Sequence, residues 1–167
     1  MSDFAIDQTK EDVELVAATQ NCRVVWPSQH QLALDLDLHN PVWNMLVRGM
    51  PAGSVLSITK VMASLCNRKA LVADHYFQGG SRLILDFAHV WQSRGGGVHV
   101  LVNTKNEYGL ITLPYKDRLW LQTYLYSDPV RDMKSWLQYR HYGRQMNCLF
   151  RPLSKAAEVD EADEVGE

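Results

Sequence analysis

The spacing of hydrophobic positions changes several times along this chain, and each change marks an element. Residues 31–38 alternate, with Leu32, Leu34, Leu36 and Leu38 on one side and Ala33, Asp35 and Asp37 on the other. This is the period of a strand with one buried face. Residues 23–26 read as a short strand stopped by Pro27, residues 82–91 as an apolar strand, and residues 98–103 as a strand. Shorter strands are predicted at 110–113, closed by Pro114, and at 148–150. Asn40-Pro41 starts a helix as N-cap and first helical residue, with Val42, Leu46 and Val47 as its apolar side, and the chain breaks between Gly49 and Gly53. The β-branched run at 54–62 predicts a strand, residues 63–77 a helix, and Gly79-Gly80 a turn.

Two more helices follow. One covers 116–126 through Leu119, Leu121 or Gln122, and Leu125. The other covers 130–142, capped by Ser127-Asp128-Pro129, packing through Val130, Met133, Trp136 and Leu137, and ended by Gly143. Residues 1–20 read as a polar arm or a short helix over 10–19. Strands and helices mix without strict alternation, so the expected class is α+β, a central, mostly antiparallel sheet flanked by helices.

A chain of 167 residues with 46% hydrophobic and 22% charged positions suits one domain, placed at 21–154 between the arm and an acidic, disordered tail at 155–167. No apolar run is long enough to cross a membrane and no signal pattern opens the chain. The three scattered cysteines (Cys22, Cys66, Cys148) favour reduced thiols, hence a cytoplasmic location. The net charge of −2 hides an asymmetry: residues 15–154 carry 15 Lys/Arg against 8 Asp/Glu, with the excess acids at the two ends. A basic body with acidic ends suits polyanion binding, with the tail competing for the same surface, and equally suits a solubilising tail on a scattered basic surface.

Two segments carry candidate chemistry. Asp35 and Asp37 share one face of a strand, and paired carboxylates at that spacing can hold Mg²⁺ or Mn²⁺. Asp-x-Asp also occurs on any solvent-facing strand. The second segment, Gln92-Ser93-Arg94-Gly95-Gly96-Gly97-Val98-His99-Val100, is a glycine turn entering a strand. Gly95, Gly96 and Gly97 let a phosphate approach backbone amides, while Ser93, Arg94 and His99 offer a hydroxyl, a guanidinium and a ring N–H. A glycine-rich hairpin with a buried histidine is the alternative. His30, His39, His75, His89 and His141 read as structural or surface residues.

The two segments together resemble the archaeo-eukaryotic primase superfamily, whose core carries an hhhDhD strand and then a Ser-x-Gly-rich-His segment entering a second strand. The Ser93-to-His99 spacing resembles the primase–polymerase domains of bacterial end-joining ligases. A further stretch, Arg118 to Asp132 with Leu149-Phe150-Arg151-Pro152 after it, is similar to small tailed-phage proteins carrying R-x-x-L-Q-x-x-L-x-S-D-x-x-R-E and an LFRP-like end. The resemblance covers roughly residues 24–38 and 91–152. It implies a reduced primase-like core with an RRM-like palm sheet. Asp35 and Asp37 would hold Mg or Mn, and Ser93 and His99 the phosphates of a nucleotide. Asp128, in a segment that also reads as a helix cap, is the candidate for a third metal-binding acid.

The expected function is therefore a phage primase-like domain in the host cytoplasm. It would bind nucleotide or nucleic acid with a divalent metal and act, if active, as a nucleotidyltransferase. Its catalytic residues would be Asp35, Asp37 and Asp128, and its nucleotide-binding residues Ser93, Arg94, Gly96, Gly97 and His99. The replication proteins of a phage or its host are candidate partners. Two alternatives are a catalytically inactive nucleic-acid-binding or host-takeover module, and a protein-binding phage component docking through its tail or helix 130–142.

Overall fold

A computed structural model describes residues 6–74, 77–78 and 81–154. The alternating segment forms β2 (Gln31–Leu36), which pairs antiparallel with β6 (Val98–Asn106). On its other side β6 pairs antiparallel with β5 (Ile84–Gln92), and the short β7 (Gly109–Leu110) folds back onto its far end. β2 and β5 thus run parallel to each other with β6 between them, connected through α3 (Ile58–Asp74): a split β-α-β arrangement. β1 (Cys22–Val25) and β8 (Leu149–Pro152) form a separate two-stranded antiparallel ribbon, and β3 (Phe77–Gln78) with β4 (Ser81–Arg82) another. With α1 (Lys10–Thr19), α2 (Pro41–Asn44), α4 (Tyr115–Tyr124) and α5 (Pro129–Tyr142), the described residues make an α+β fold of antiparallel sheets flanked by five helices. Among them no helix is long and apolar enough to cross a membrane.

Each face of the main sheet has its own cover. Leu32, Leu34 and Leu36 of β2 and Val98, Val100 and Val102 of β6 are fully buried on one face, against Val61 and Leu65 of α3, Leu121 of α4, Trp43 and Leu125. Each such side chain contributes about 1.5–3 kcal/mol by leaving water. The opposite face buries a smaller set, Ala33, Leu101 and Trp91, under Leu149 and Val25 of the ribbon. A break in register between Phe87 and His89 adds Trp91 to this second set. Leu85 and Phe87 face the large core, and strict alternation would send Trp91 there too. The extra residue restores Val90 to that core and turns Trp91 to the ribbon side, opposite His99.

Among the described residues no strand pairs with the outer edge of β2, and groups from the α4–α5 hairpin take a strand's place. Gln122 accepts from the Ala33 N–H at 2.9 Å and Arg131 donates to the Ala33 carbonyl at 3.0 Å. Ser127 Oγ accepts from the Asp35 N–H at 2.9 Å, and the Asp128 N–H donates to the Asp35 carbonyl at 2.8 Å. An unpaired edge would otherwise strand these groups or template aggregation.

Four segments differ from the sequence expectation. Residues 54–62 are not a strand: α3 begins at Ile58, and Ile58, Val61, Met62 and Leu65 at helical spacing meet the core, so periodicity overrides β-branching. Trp43, rather than Val42, is the fully buried residue of α2, its indole N–H donating to the Tyr126 carbonyl at 2.7 Å. In the 110–113 segment only Leu110 joins a strand. α5 has the expected cap and αL Gly143, but its buried residues are Asp132, Ser135 and Gln138, while Val130 and Met133 face outward. The turn at Gly79-Gly80, His75 and the tail at 155–167 lie outside the described residues.

Candidate functional site

The register Asp35↔His99 makes these two residues cross-strand neighbours on the ribbon side of the sheet, with His99 Nε2 3.3 Å from Asp35 Oδ1. His99 Nδ1 lies 2.9 Å from the Phe150 carbonyl of β8, which also accepts the Trp91 indole N–H at 3.0 Å. A carbonyl only accepts, so this partner assigns a hydrogen to Nδ1 and leaves Nε2 facing the carboxylate. Trp91 stands edge-on to the imidazole, with centroids 5.7 Å apart. The ring is thus held by one strand on each side and by an aromatic wall.

The β5–β6 hairpin turn brings the glycine segment to the same place. The Ser93 N–H donates to the Gly97 carbonyl at 2.9 Å and the Gly96 N–H to the Ser93 carbonyl at 3.2 Å. Asp35, Asp37, Ser93, Arg94, Gly95 and His99 then line one cavity of about 320 Å³, closed on the other side by Cys22 and residues 148–150. Gly96 and Gly97 do not line it. Gly96 adopts φ +90° beneath Val55 and Leu38, and its carbonyl accepts from the Leu56 N–H and from Gln92 Nε2. At Gly97 an added Cβ would sit 2.5 Å from the Leu36 carbonyl oxygen. The turn's packing against β2 requires these two glycines. Gly95 has open space around it.

Asp128 joins the first pair from the N-terminus of α5. Its Oδ1 accepts from the Val130 N–H at 3.0 Å as the helix cap, and the carboxylates of Asp35, Asp37 and Asp128 offer oxygens all within 4.8 Å of one another. Asp128 is therefore both the cap and the third acid of a cluster. The three acids have different environments. Burial pushes the Asp35 carboxyl up, but the His99 hydrogen bond and the charges of Arg131 and His99 outweigh it and hold Asp35 below the usual carboxylate range. Asp128 is raised by burial and, further, by the charges of Asp35 and Asp37. Asp37 Oδ1 accepts from the His39 N–H at 2.8 Å, fixing the turn that follows β2.

The donor set tests whether a metal fits. Three carboxylates with no thiolate or imidazole required suit a hard, oxygen-seeking cation such as Mg²⁺ or Mn²⁺ and not zinc, so the residues fit the group that the sequence resemblance implies.

Two residues of the site were not singled out from sequence. Arg131 lines the cavity, and its guanidinium also donates to the Cys148 carbonyl and Asn147 Oδ1, each at 2.8 Å. It sits four positions after Ser127 in the S-D-x-x-R segment, the one signal that could have found it. Cys148 lines the cavity too, but burial pushes its thiol up to about 11, which makes it a neutral wall and not a nucleophile.

Behind the site, Asp132 accepts from Gln122 Nε2 at 2.8 Å and from Thr123 Oγ1 at 3.1 Å. Burial nevertheless pushes its carboxyl up to about 6, against the lowering pull of Arg131, Gln122 and Thr123. An unfolded aspartate titrates near 3.9. Between about pH 4 and 6 the native state therefore binds more protons than the unfolded one. Stability falls as pH rises through that window, by about 3 kcal/mol in total. Asp132→Asn should match the wild type only below about pH 4, where Asp132 is protonated in both states, and exceed it at pH 7.5 in denaturant melts. An unchanged pH slope in the variant would assign the effect to another group.

Compared with known proteins, the chain matches no family model, no curated protein and no solved structure.

Proposed function

We propose that the cavity between the main sheet and the β1–β8 ribbon binds the phosphates of a nucleotide or nucleic acid with Mg²⁺ or Mn²⁺, in a reduced primase-like domain acting as a nucleotidyltransferase. One observation carries this reading. Residues from three separate stretches of chain, Asp35 and Asp37, Ser93 to Gly95 with His99, and Asp128 with Arg131, converge on one cavity and the carboxylate cluster at its edge. Acids together with hydroxyl, imidazole and guanidinium groups around one cavity form the arrangement that positioning and charge stabilisation at a phosphate require.

Asp35, Asp37 and Asp128 are the residues that would hold the metal. A cation held there supplies positive charge to a phosphate and favours attack on it. The rest falls to the chain. Ser93 and Arg94 line the cavity, and His99 turns Nε2 towards Asp35 while its Nδ1 is anchored by the Phe150 carbonyl. Arg131 adds positive charge that acts on Asp35; its guanidinium is held by the Ala33 and Cys148 carbonyls and lies 3.4 Å from Asp132 Oδ1.

The test supplies Mn²⁺, labelled nucleotide and a single-stranded template, and compares the wild type with Asp35→Ala/Asp37→Ala. The expected result is metal-dependent nucleotide binding and template-dependent extension in the wild type, with both lost in the double variant. Absence of extension and of metal-dependent binding in the folded wild type would sink the proposal. A second reading, phosphate or nucleic-acid binding without catalysis, is favoured by the direct 3.3 Å contact of His99 Nε2 with Asp35 Oδ1, which engages a carboxylate oxygen that a cation would otherwise take. It expects salt-sensitive nucleic-acid binding that survives loss of both aspartates.

A further inference from the structure

α5 is built inside out. Its buried side is polar, with Asp132, Ser135 and Gln138 serving the network behind β2, while Val130 and Met133 are 57% and 56% exposed. Its neighbour α4 adds Trp120, 44% exposed, with its ring stacked 4.0 Å from that of Tyr124. These apolar groups are not scattered. Lys116, Leu119, Trp120 and Thr123 of α4 stand at i, i+3, i+4 and i+7, and so do Pro129, Asp132, Met133 and Trp136 of α5. The two stripes line one shallow groove of about 250 Å³. Facing stripes of this spacing form the furrow into which the ridge of another helix packs.

We infer that this groove is a docking site for an acidic amphipathic helix of a partner protein. The apolar walls select a helix with one hydrophobic stripe. The rim selects its charge: Lys116 Nζ from α4 and the Arg140 guanidinium from α5 each lie 5.9 Å from the Trp136 ring centroid. The carboxylate beneath, Asp132, is 3% exposed and already bonded to Gln122 and Thr123, so the groove presents cations outward. A rim of one sign opposes pairing with a second copy of the same surface and favours Glu or Asp flanking the incoming apolar stripe. The groove involves none of the residues that line the phosphate cavity.

The experiment is a selection on the full chain. A displayed library of helical peptides keeps leucine at i, i+3, i+4 and i+7 and randomises the flanking positions among Glu, Gln and Lys. Glu-rich peptides should be enriched on the wild type. Their affinity should fall at least about tenfold on Trp120→Ala and on Lys116→Glu/Arg140→Glu, equivalent to about 1.4 kcal/mol or more. Both variants must keep the wild-type melting temperature; Met133→Gln, at a groove position that is 56% exposed, serves as a third probe where either does not. Enrichment of Lys-rich peptides, no enrichment, or binding indifferent to all three variants would overturn the proposal. So would a concentration-dependent dimer in sedimentation velocity that Met133→Gln dissolves, because it would give the groove to a second copy of the chain.

Discussion

Gln122→Leu should be among the most damaging single changes in this protein, costing about 3–5 kcal/mol although it preserves side-chain volume. Gln122 is fully buried and uses both ends of its amide. Oε1 accepts from the Ala33 N–H at 2.9 Å and from Asn147 Nδ2 at 2.7 Å, while Nε2 donates to Asp132 Oδ1 at 2.8 Å and Asn147 Oδ1 at 3.3 Å. Leucine would satisfy none of them. The Ala33 N–H would be left buried without a partner, and Asn147 would lose its bonds to the amide. Asp132, already pushed up by burial, would lose a donor. For a domain of this size the loss corresponds to a fall in melting temperature of about 10 °C or more. Thermal melts check it, and a change within about 1 kcal/mol would show that water replaces the amide at the β2 edge.

Gly97→Ala tests the other support of the site. The new Cβ would meet the Leu36 carbonyl oxygen at 2.5 Å, and that neighbour is backbone, so it cannot rotate away. Either the hairpin turn or the end of β2 must shift, at a cost of about 2–3 kcal/mol or more. Leu36 lies between Asp35 and Asp37, so the same shift should also separate the carboxylates from Ser93 and weaken whatever the cavity binds. Gly95→Ala is the control: nothing lies within 4 Å of its would-be Cβ, and stability should stay within about 0.5 kcal/mol. Equal melting temperatures for the two variants would contradict the close approach of turn and strand.

These two positions show where sequence reading succeeded and where it stopped. The alternation of residues 31–38 was enough to put Asp35 opposite Leu32, Leu34 and Leu36, and the structure agrees as far as Leu36, where β2 ends; Asp37 lies just past the strand and lines the same cavity as Asp35. The caps Asn40 and Asp128 and the terminating Gly143 were legible because local backbone chemistry decides them. The glycine run was legible as a turn, but not the reason for each glycine. Gly97 answers to Leu36, sixty residues away, and local sequence holds no record of that contact. The same holds for α5, where the periodic apolar residues pointed to a packing side that faces solvent, because the polar residues are claimed by the edge of β2.

By itself the sequence determined the α+β class, most of the elements, the facing of Asp35 on its strand and the glycine turn that enters β6. Those depend on periods and caps read over a few neighbouring residues. Only the tertiary structure decided that Asp35 meets His99 at 3.3 Å, that Asp128 completes an acidic cluster, that Arg131 belongs to the cavity, and that an extra residue near Ala88 turns Trp91 towards the histidine. Strand register, a bulge and the capping of an open edge depend on pairings between distant segments. Such pairings are set by which partner buries or bonds a group best, and that choice exists only once the chain has folded.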